Sequence, residues 1–99
     1  LVTPTLARPA VAATGWQERG WRASLQAAVE FAPFTGAWNV AGTPALTTPV
    51  ARSADGHPIG VQLAGPPGSE ARLLRLARTL ERALPWPRHA PMLARRHLG

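Results

Sequence analysis

The clearest pattern along the chain is a pair of apolar runs, residues 45–53 and 58–65, separated by Asp55-Gly56. An Asp-Gly pair between two such runs is a strong local signal for a β-hairpin, because both positions tolerate the left-handed dihedrals of a tight turn. In the second run Ile59, Val61 and Leu63 fall on one face. Gly60, Gln62 and Ala64 fall on the other, and the small Gly60 and Ala64 predict a close neighbour on that side. Thr47, Thr48 and Val50 suit the first strand, and Pro49 pushes it towards an edge or a bulge. Pro66-Pro67-Gly68 ends the hairpin. A helix then follows over about 69–84, with Ser69 as its N-cap and Glu70 placed to favour the helix dipole. Leu73, Leu76, Ala77, Leu80 and Leu84 form its apolar face, Arg75, Arg78 and Arg82 the opposite one, and Pro85 and Pro87 stop it.

The first half is less regular. Residues 1–6 read as a short strand, with Pro4 at its end or at a bulge, and 7–15 as a loop. Residues 16–31 have helical periodicity: Trp21, Leu25, Ala28 and Val29 make a single stripe, and Gly20 marks a possible start of the regular helix. Pro33 bounds it. Residues 33–44, with Pro33, Gly36, Gly42 and Pro44, are either a structured loop or a short helix flanked by loops. Residues 88–99 form a basic tail with no sustained period.

Composition narrows the chemistry. No cysteine is present, which excludes disulfides, thiol catalysis and Cys-ligated zinc. No apolar run approaches the roughly 20 residues needed to span a bilayer. The net charge of +6 raises the question of nucleic acid, but all eleven basic residues are arginines scattered from Arg8 to Arg96. They read as genome bias and not as a binding patch, so neither a nucleic-acid nor a membrane partner is expected. The chain opens on Leu1 in the middle of an apolar pattern, and the expectation is a piece of something longer.

No catalytic constellation emerges from these residues. His57 belongs to the hairpin turn, and His89 and His97 to the tail. No pair has metal-ligand spacing, so no metal or other cofactor is expected. Asp55 is explained by its turn and Glu70 by its cap, while Glu81 can pair with Arg78. Gly65-Pro66-Pro67-Gly68 lacks the N–H groups and the lysine of a phosphate loop. Phe34 and Trp38 in the central segment read as core residues more readily than as pocket lining.

The run Phe34-Thr35-Gly36-Ala37-Trp38-Asn39-Val40-Ala41-Gly42-Thr43-Pro44-Ala45 resembles the C-terminal hallmark of the amidase-signature family. Asp55-Gly56-His57-Pro58-Ile59-Gly60-Val61-Gln62 is similar to that family's next strand, and Glu70, Leu73, Leu74 and Glu81 to its closing helix. Gly65-Pro66-Pro67-Gly68-Ser69 departs from the more usual loop. The resemblance covers about residues 1–87, leaving 88–99 as a tail.

The resemblance implies an α/β fold: a C-terminal fragment of the amidase-signature fold, a mixed sheet with flanking helices, here in the order strand, helix, loop, hairpin, helix. It implies a cofactor-independent hydrolase of carboxylic amides using a Ser–cis-Ser–Lys triad. This chain has no lysine and only Ser24, Ser53 and Ser69, none in a Gly-Ser-Ser-Gly context, so no catalytic residue is assigned to it. The triad is expected upstream and the isolated segment is expected to be inactive. Phe34 and Trp38 are expected to line the substrate pocket. Asn39, Gly42, Pro44, Gly60 and Gln62 are expected to be structural, with Asn39 bonding loop backbone. The partner implied is a small-molecule amide, met through the full-length protein; the cytoplasm is the compartment expected, from the absence of cysteine. Two other readings stand beside this one: part of a glutaminase-type subunit of a tRNA-dependent amidotransferase, and a non-catalytic basic module binding an acidic partner.

Overall fold

The computed structural model describes residues 1–12, 15 and 18–88. Within them lie six elements: β1 (Val2–Pro4), α1 (Trp21–Phe31), α2 (Gly36–Ala41), β2 (Ala45–Arg52), β3 (Pro58–Ala64) and α3 (Glu70–Ala83). The tail lies outside the described residues apart from Arg88, and so do His89 and His97.

The three strands form one antiparallel sheet in the order β1-β3-β2. The hairpin closes as its turn chemistry dictates. Gly56 takes φ 88°, its N–H donates to the Ser53 carbonyl at 2.9 Å, and the Ser53 N–H donates to the His57 carbonyl at 2.9 Å. Pro49 sits at an irregularity in the ladder: it faces Gly60 while Ala51 faces Ile59, leaving Val50 as the extra residue of a bulge. Strand β2 is also a sheet edge, so both properties expected of a strand proline are present. On the other side β1 stops at Pro4. The strand is shorter than the six residues of the sequence pattern, although the Thr5 N–H still reaches the Gly60 carbonyl at 3.2 Å. The pairing also includes Leu1, whose N and O both bond Ala64 at 2.9 Å.

Helix α3 packs against β2 and β3. Leu63 and Leu73 are 3% and 5% exposed and, with Ala64, are the buried apolar residues among those described. The helix turns its Leu73, Ala77 and Leu80 side inward. Leu76, expected on that face, lies at its margin and is exposed. Ser69 occupies the N-cap position but makes no capping bond. Its hydroxyl donates to the Pro66 carbonyl at 2.6 Å, a nearer acceptor supplied by the Pro-Pro-Gly turn. Glu81 and Arg78 do not form an ion pair; the pairs among the described residues are Arg8–Glu30 and Asp55–His57.

Helix α1 begins at Trp21, five residues later than the periodicity suggested, with Gly20 at its N-cap. Residues 16 and 17 are outside the described set, and 18–20 are not helical. Its expected core stripe is not buried: Trp21, Leu25 and Val29 are 72%, 57% and 58% exposed. The segment 33–44 resolves in favour of a short helix, α2.

Candidate functional site

The residues of the central motif converge on one corner of the sheet. Helix α2 is six residues long and ends at Gly42, whose φ of 67° is the left-handed conformation that lets a helix stop and the chain reverse. The Gly42 N–H donates to the Trp38 carbonyl at 3.0 Å. Two residues on, the Pro44 carbonyl accepts from the Gly65 N–H at 3.1 Å, so the chain enters β2 already in register with the end of β3. Pro44 lacks an N–H but needs only its carbonyl here.

Gln62 ties this corner together. It is 4% exposed in the central strand. Its amide Nε2 donates to the Phe34 carbonyl at 2.8 Å and to Thr3 Oγ1 at 3.2 Å. One side chain thereby joins β3, β1 and the turn leading into α2. A buried amide is tolerated only where it finds such partners. Two positions along the same face, Gly60 fits closely: a Cβ there would lie 3.0 Å from Thr5 Oγ1 and 3.1 Å from Thr47 Cγ2, so a larger residue would push both threonine side chains aside. The small residues of that face do have a close neighbour.

Above this face lies a concavity of about 400 Å³, lined among others by Thr35, Trp38, Asn39, Thr43, Pro44 and Gln62. The indole Nε1 of Trp38 and the hydroxyl of Thr43 are covered and have no hydrogen-bond partner. Each such unmet group costs about 1–3 kcal/mol, which makes this the least satisfied polar spot among the described residues. Asn39 is exposed at the rim, and its side chain makes no hydrogen bond to loop backbone; the expected tie is made by Gln62 instead. Phe34 is half-buried and contributes its carbonyl to Gln62, while its ring is not part of the lining. The structure thus gathers Trp38, Asn39, Pro44 and Gln62 around one hollow, with Gly42 and Gly60 shaping the backbone beside it, and leaves Phe34 behind it. Thr3 is brought in by Gln62 from 59 residues away, which no local pattern shows, while Thr35 and Thr43 lie inside the motif without a role assigned to them from the sequence.

A larger depression of about 570 Å³ lies at the other end of the hairpin, between Val50, Arg52, Pro58, Leu84 and Trp86. It gathers prolines and aliphatic groups and none of Trp38, Asn39, Pro44 and Gln62, so the smaller hollow is the better candidate. The hairpin turn has its own polar cluster. The Ser53 hydroxyl bonds Asp55, and His57 Nδ1 lies 3.3 Å from the second carboxylate oxygen. The Ser53 hydroxyl, the backbone N–H of Asp55 and the nearby His57 hold the Asp55 carboxyl below its ordinary value, in that order of importance. All three side chains serve the turn, and no group of three or more potential metal ligands occurs among the described residues. No helix there is long and apolar enough to cross a membrane.

The serines are dispersed. Ser24 is on α1, Ser53 in the turn, and Ser69 is buried against Pro66. Among the described residues no serine hydroxyl is hydrogen-bonded to an imidazole or amine side chain, and that of Ser53 is held by the turn carboxylate of Asp55.

Comparison with known proteins places the arrangement. The family model described as Amidase matches residues 1–74. The chain is 41% identical over 95 residues to "Putative amidase AmiC" of Mycobacterium tuberculosis (strain ATCC 25618 / H37Rv), covering 95% of this chain and 20% of that protein. It is 36% identical over 93 residues to "Putative amidase AmiA2" of the same strain, covering 94% and 19%. Among solved structures, 6-aminohexanoate cyclic dimer hydrolase superposes with a TM-score of 0.75 at 34% identity, over 94% of this chain and 21% of the other. The same hydrolase complexed with substrate superposes at 0.74. The chain spans about a fifth of the length of the relatives it matches. The motif-built corner, the family match over three-quarters of the sequence and the shared α/β fold agree: the chain belongs to the amidase family.

Proposed function

We propose that these 99 residues are the C-terminal segment of an amide hydrolase and supply scaffolding for a site whose reacting residues lie outside them. The observation that supports this best is the pairing of a family match over residues 1–74 with a side-chain inventory that cannot perform the chemistry. A Ser–cis-Ser–Lys mechanism needs two neighbouring serines and a lysine. This chain has no lysine, and its three serines are held apart on α1, the hairpin turn and the start of α3. The buried Gln62 bridge and the Gly42–Pro44 entry to β2 fit a supporting role, since they fix one loop and one helix against the sheet.

Within that scaffold, Trp38 is the residue by which the segment reaches substrate. It lines the hollow above Gln62, and its indole N–H lacks a partner. Phe34 contributes behind it, holding Gln62 through its carbonyl.

The test has two arms. The purified chain alone is expected to release no product from small carboxylic amides. Hydrolysis by it, lost on substituting one of its own residues, overturns the proposal. In a complete amidase polypeptide carrying this segment, Trp38→Phe is expected to raise KM more than it lowers kcat. An unchanged KM removes Trp38 from the pocket.

A further inference from the structure

Helix α1 has three flanks. Ser24, Ala27 and Phe31 are half-buried and face the rest of the chain, where the Ala7 N–H reaches the Phe31 carbonyl at 3.0 Å. Gln26 and Glu30 form a polar flank: the Gln26 amide donates to Glu30 at 3.1 Å, and Glu30 pairs with Arg8 at 3.5 Å. The third flank carries Trp21, Leu25 and Val29 at i, i+4 and i+8, all more than half exposed. This inverts the usual arrangement. A helix at the surface of a self-contained domain buries its large apolar residues and exposes small or polar ones. Here small residues take most of the inward positions, and a tryptophan, a leucine and a valine point away.

Large contiguous apolar patches on a surface mark an interface. What covers this one follows from two facts. Helix α1 lies within the residues matched by the family model, so it belongs to the amidase fold itself and is not an appendage. In the superposed hydrolase the matched region is 21% of a chain that continues well beyond it. We infer that the Trp21–Leu25–Val29 face of α1 is the surface on which the remainder of an amidase domain packs. The inference rests on family membership and does not require the proposed hydrolytic activity.

The experiment uses the intact 6-aminohexanoate cyclic dimer hydrolase with its matched fifth exchanged for this chain. Cysteine is absent from the chain, so Leu25→Cys introduces a single addressable thiol within it. Peptide-resolved labelling should find Cys at that position modified at least about tenfold more slowly in the chimera than in the 99-residue chain alone, because a packed face excludes the reagent. Leu25→Asp with Val29→Asp should lower the Tm of the chimera by on the order of 10 °C, while leaving hydrogen-exchange protection of the hairpin unchanged in the chain alone. Equal labelling in both settings overturns the inference. So does a chimera that stays insoluble with the native α1 sequence. A symmetric dimer of the isolated chain that the double substitution dissociates overturns it too, by naming a second copy as the occupant. Protection in a chimera that hydrolyses no amide supports the docking face and counts against the proposed activity alone.

Discussion

The hairpin with its helix, residues 45–83, and the segment before it, residues 5–43, obey different rules although they belong to one chain. The first part has its own interior. Leu63 and Leu73 are buried, the ladder of β2 on β3 runs through a bulge, and the Leu73–Ala77–Leu80 stripe of α3 faces the sheet. The second part has helices without an interior. Neither α1 nor α2 contains a buried residue, and α1 turns Trp21, Leu25 and Val29 outward. Amphipathic periodicity therefore identifies a helix in both parts, but it says which face is apolar and not whether the partner lies in the same stretch of sequence. Where the partner is a neighbour in sequence, as for α3 on the hairpin, the inference from stripe to core holds.

The largest effect that separates the two parts is a pair of leucine truncations. Leu73→Ala removes a side chain that is 5% exposed, and should destabilise the folded chain by about 2–5 kcal/mol. Leu25→Ala, at 57% exposed, should change stability by no more than about 0.5 kcal/mol. Urea unfolding of both variants measures the difference. Comparable losses would mean that α1 has a core after all.

Two substitutions then probe how the parts are joined. Gln62→Ala deletes the donor to Phe34 and Thr3, and leaves a carbonyl and a hydroxyl without their partner at a cost of about 1–3 kcal/mol. Hydrogen exchange should show the α2 region opening before the hairpin does. Gly65→Ala works on the other side. A Cβ there would lie 2.3 Å from Ser69 Oγ and 3.1 Å from Ser69 Cβ, and the hydroxyl that must move is the one held by Pro66. A loss of about 1–3 kcal/mol is expected, read as a drop in Tm, and Ser69→Gly in the same chain should recover part of it.

Much of the fold was legible because its cues are short-range. Asp55-Gly56 specifies its turn from two residues, Pro49 announces the edge and the bulge, and Gly20 marks where α1 begins. Helix α2 was readable only as one of two options, since six residues are too few to display a helical period. Ser69 misled because a cap residue chooses between the helix N–H groups and any closer acceptor, and the adjoining turn supplies Pro66. The corner around Trp38 was legible as a motif but not as a geometry. The bond from Gln62 to Phe34 spans 28 residues and that to Thr3 spans 59, and no local pattern encodes which distant segment a buried amide will find. Asn39 shows the same limit: its residue type suits a backbone tie, yet the tie falls to Gln62, which the sheet carries directly beneath the loop.

The smallest effect concerns the turn that anchors the self-contained part. Asp55 is exposed, and its carboxyl is held below its ordinary value, first by the Ser53 hydroxyl, then by its own backbone N–H and by His57. A depressed folded-state value means that the ionised carboxylate is favoured by the fold. Its contribution is therefore complete above the ordinary carboxylate range, and is lost as pH falls through the lowered value. Thermal melts of the chain should show a slight decline in Tm below about pH 4, and Asp55→Asn should flatten that slope while leaving the melt near neutral pH close to unchanged. Because the group is exposed and screened, salt should shrink the effect as well. A decline that survives Asp55→Asn would shift the acid sensitivity away from the hairpin. Among the described residues the carboxylate left with an ion pair would then be Glu30 on α1, bonded to Arg8, placing the sensitivity in the segment that lacks a core.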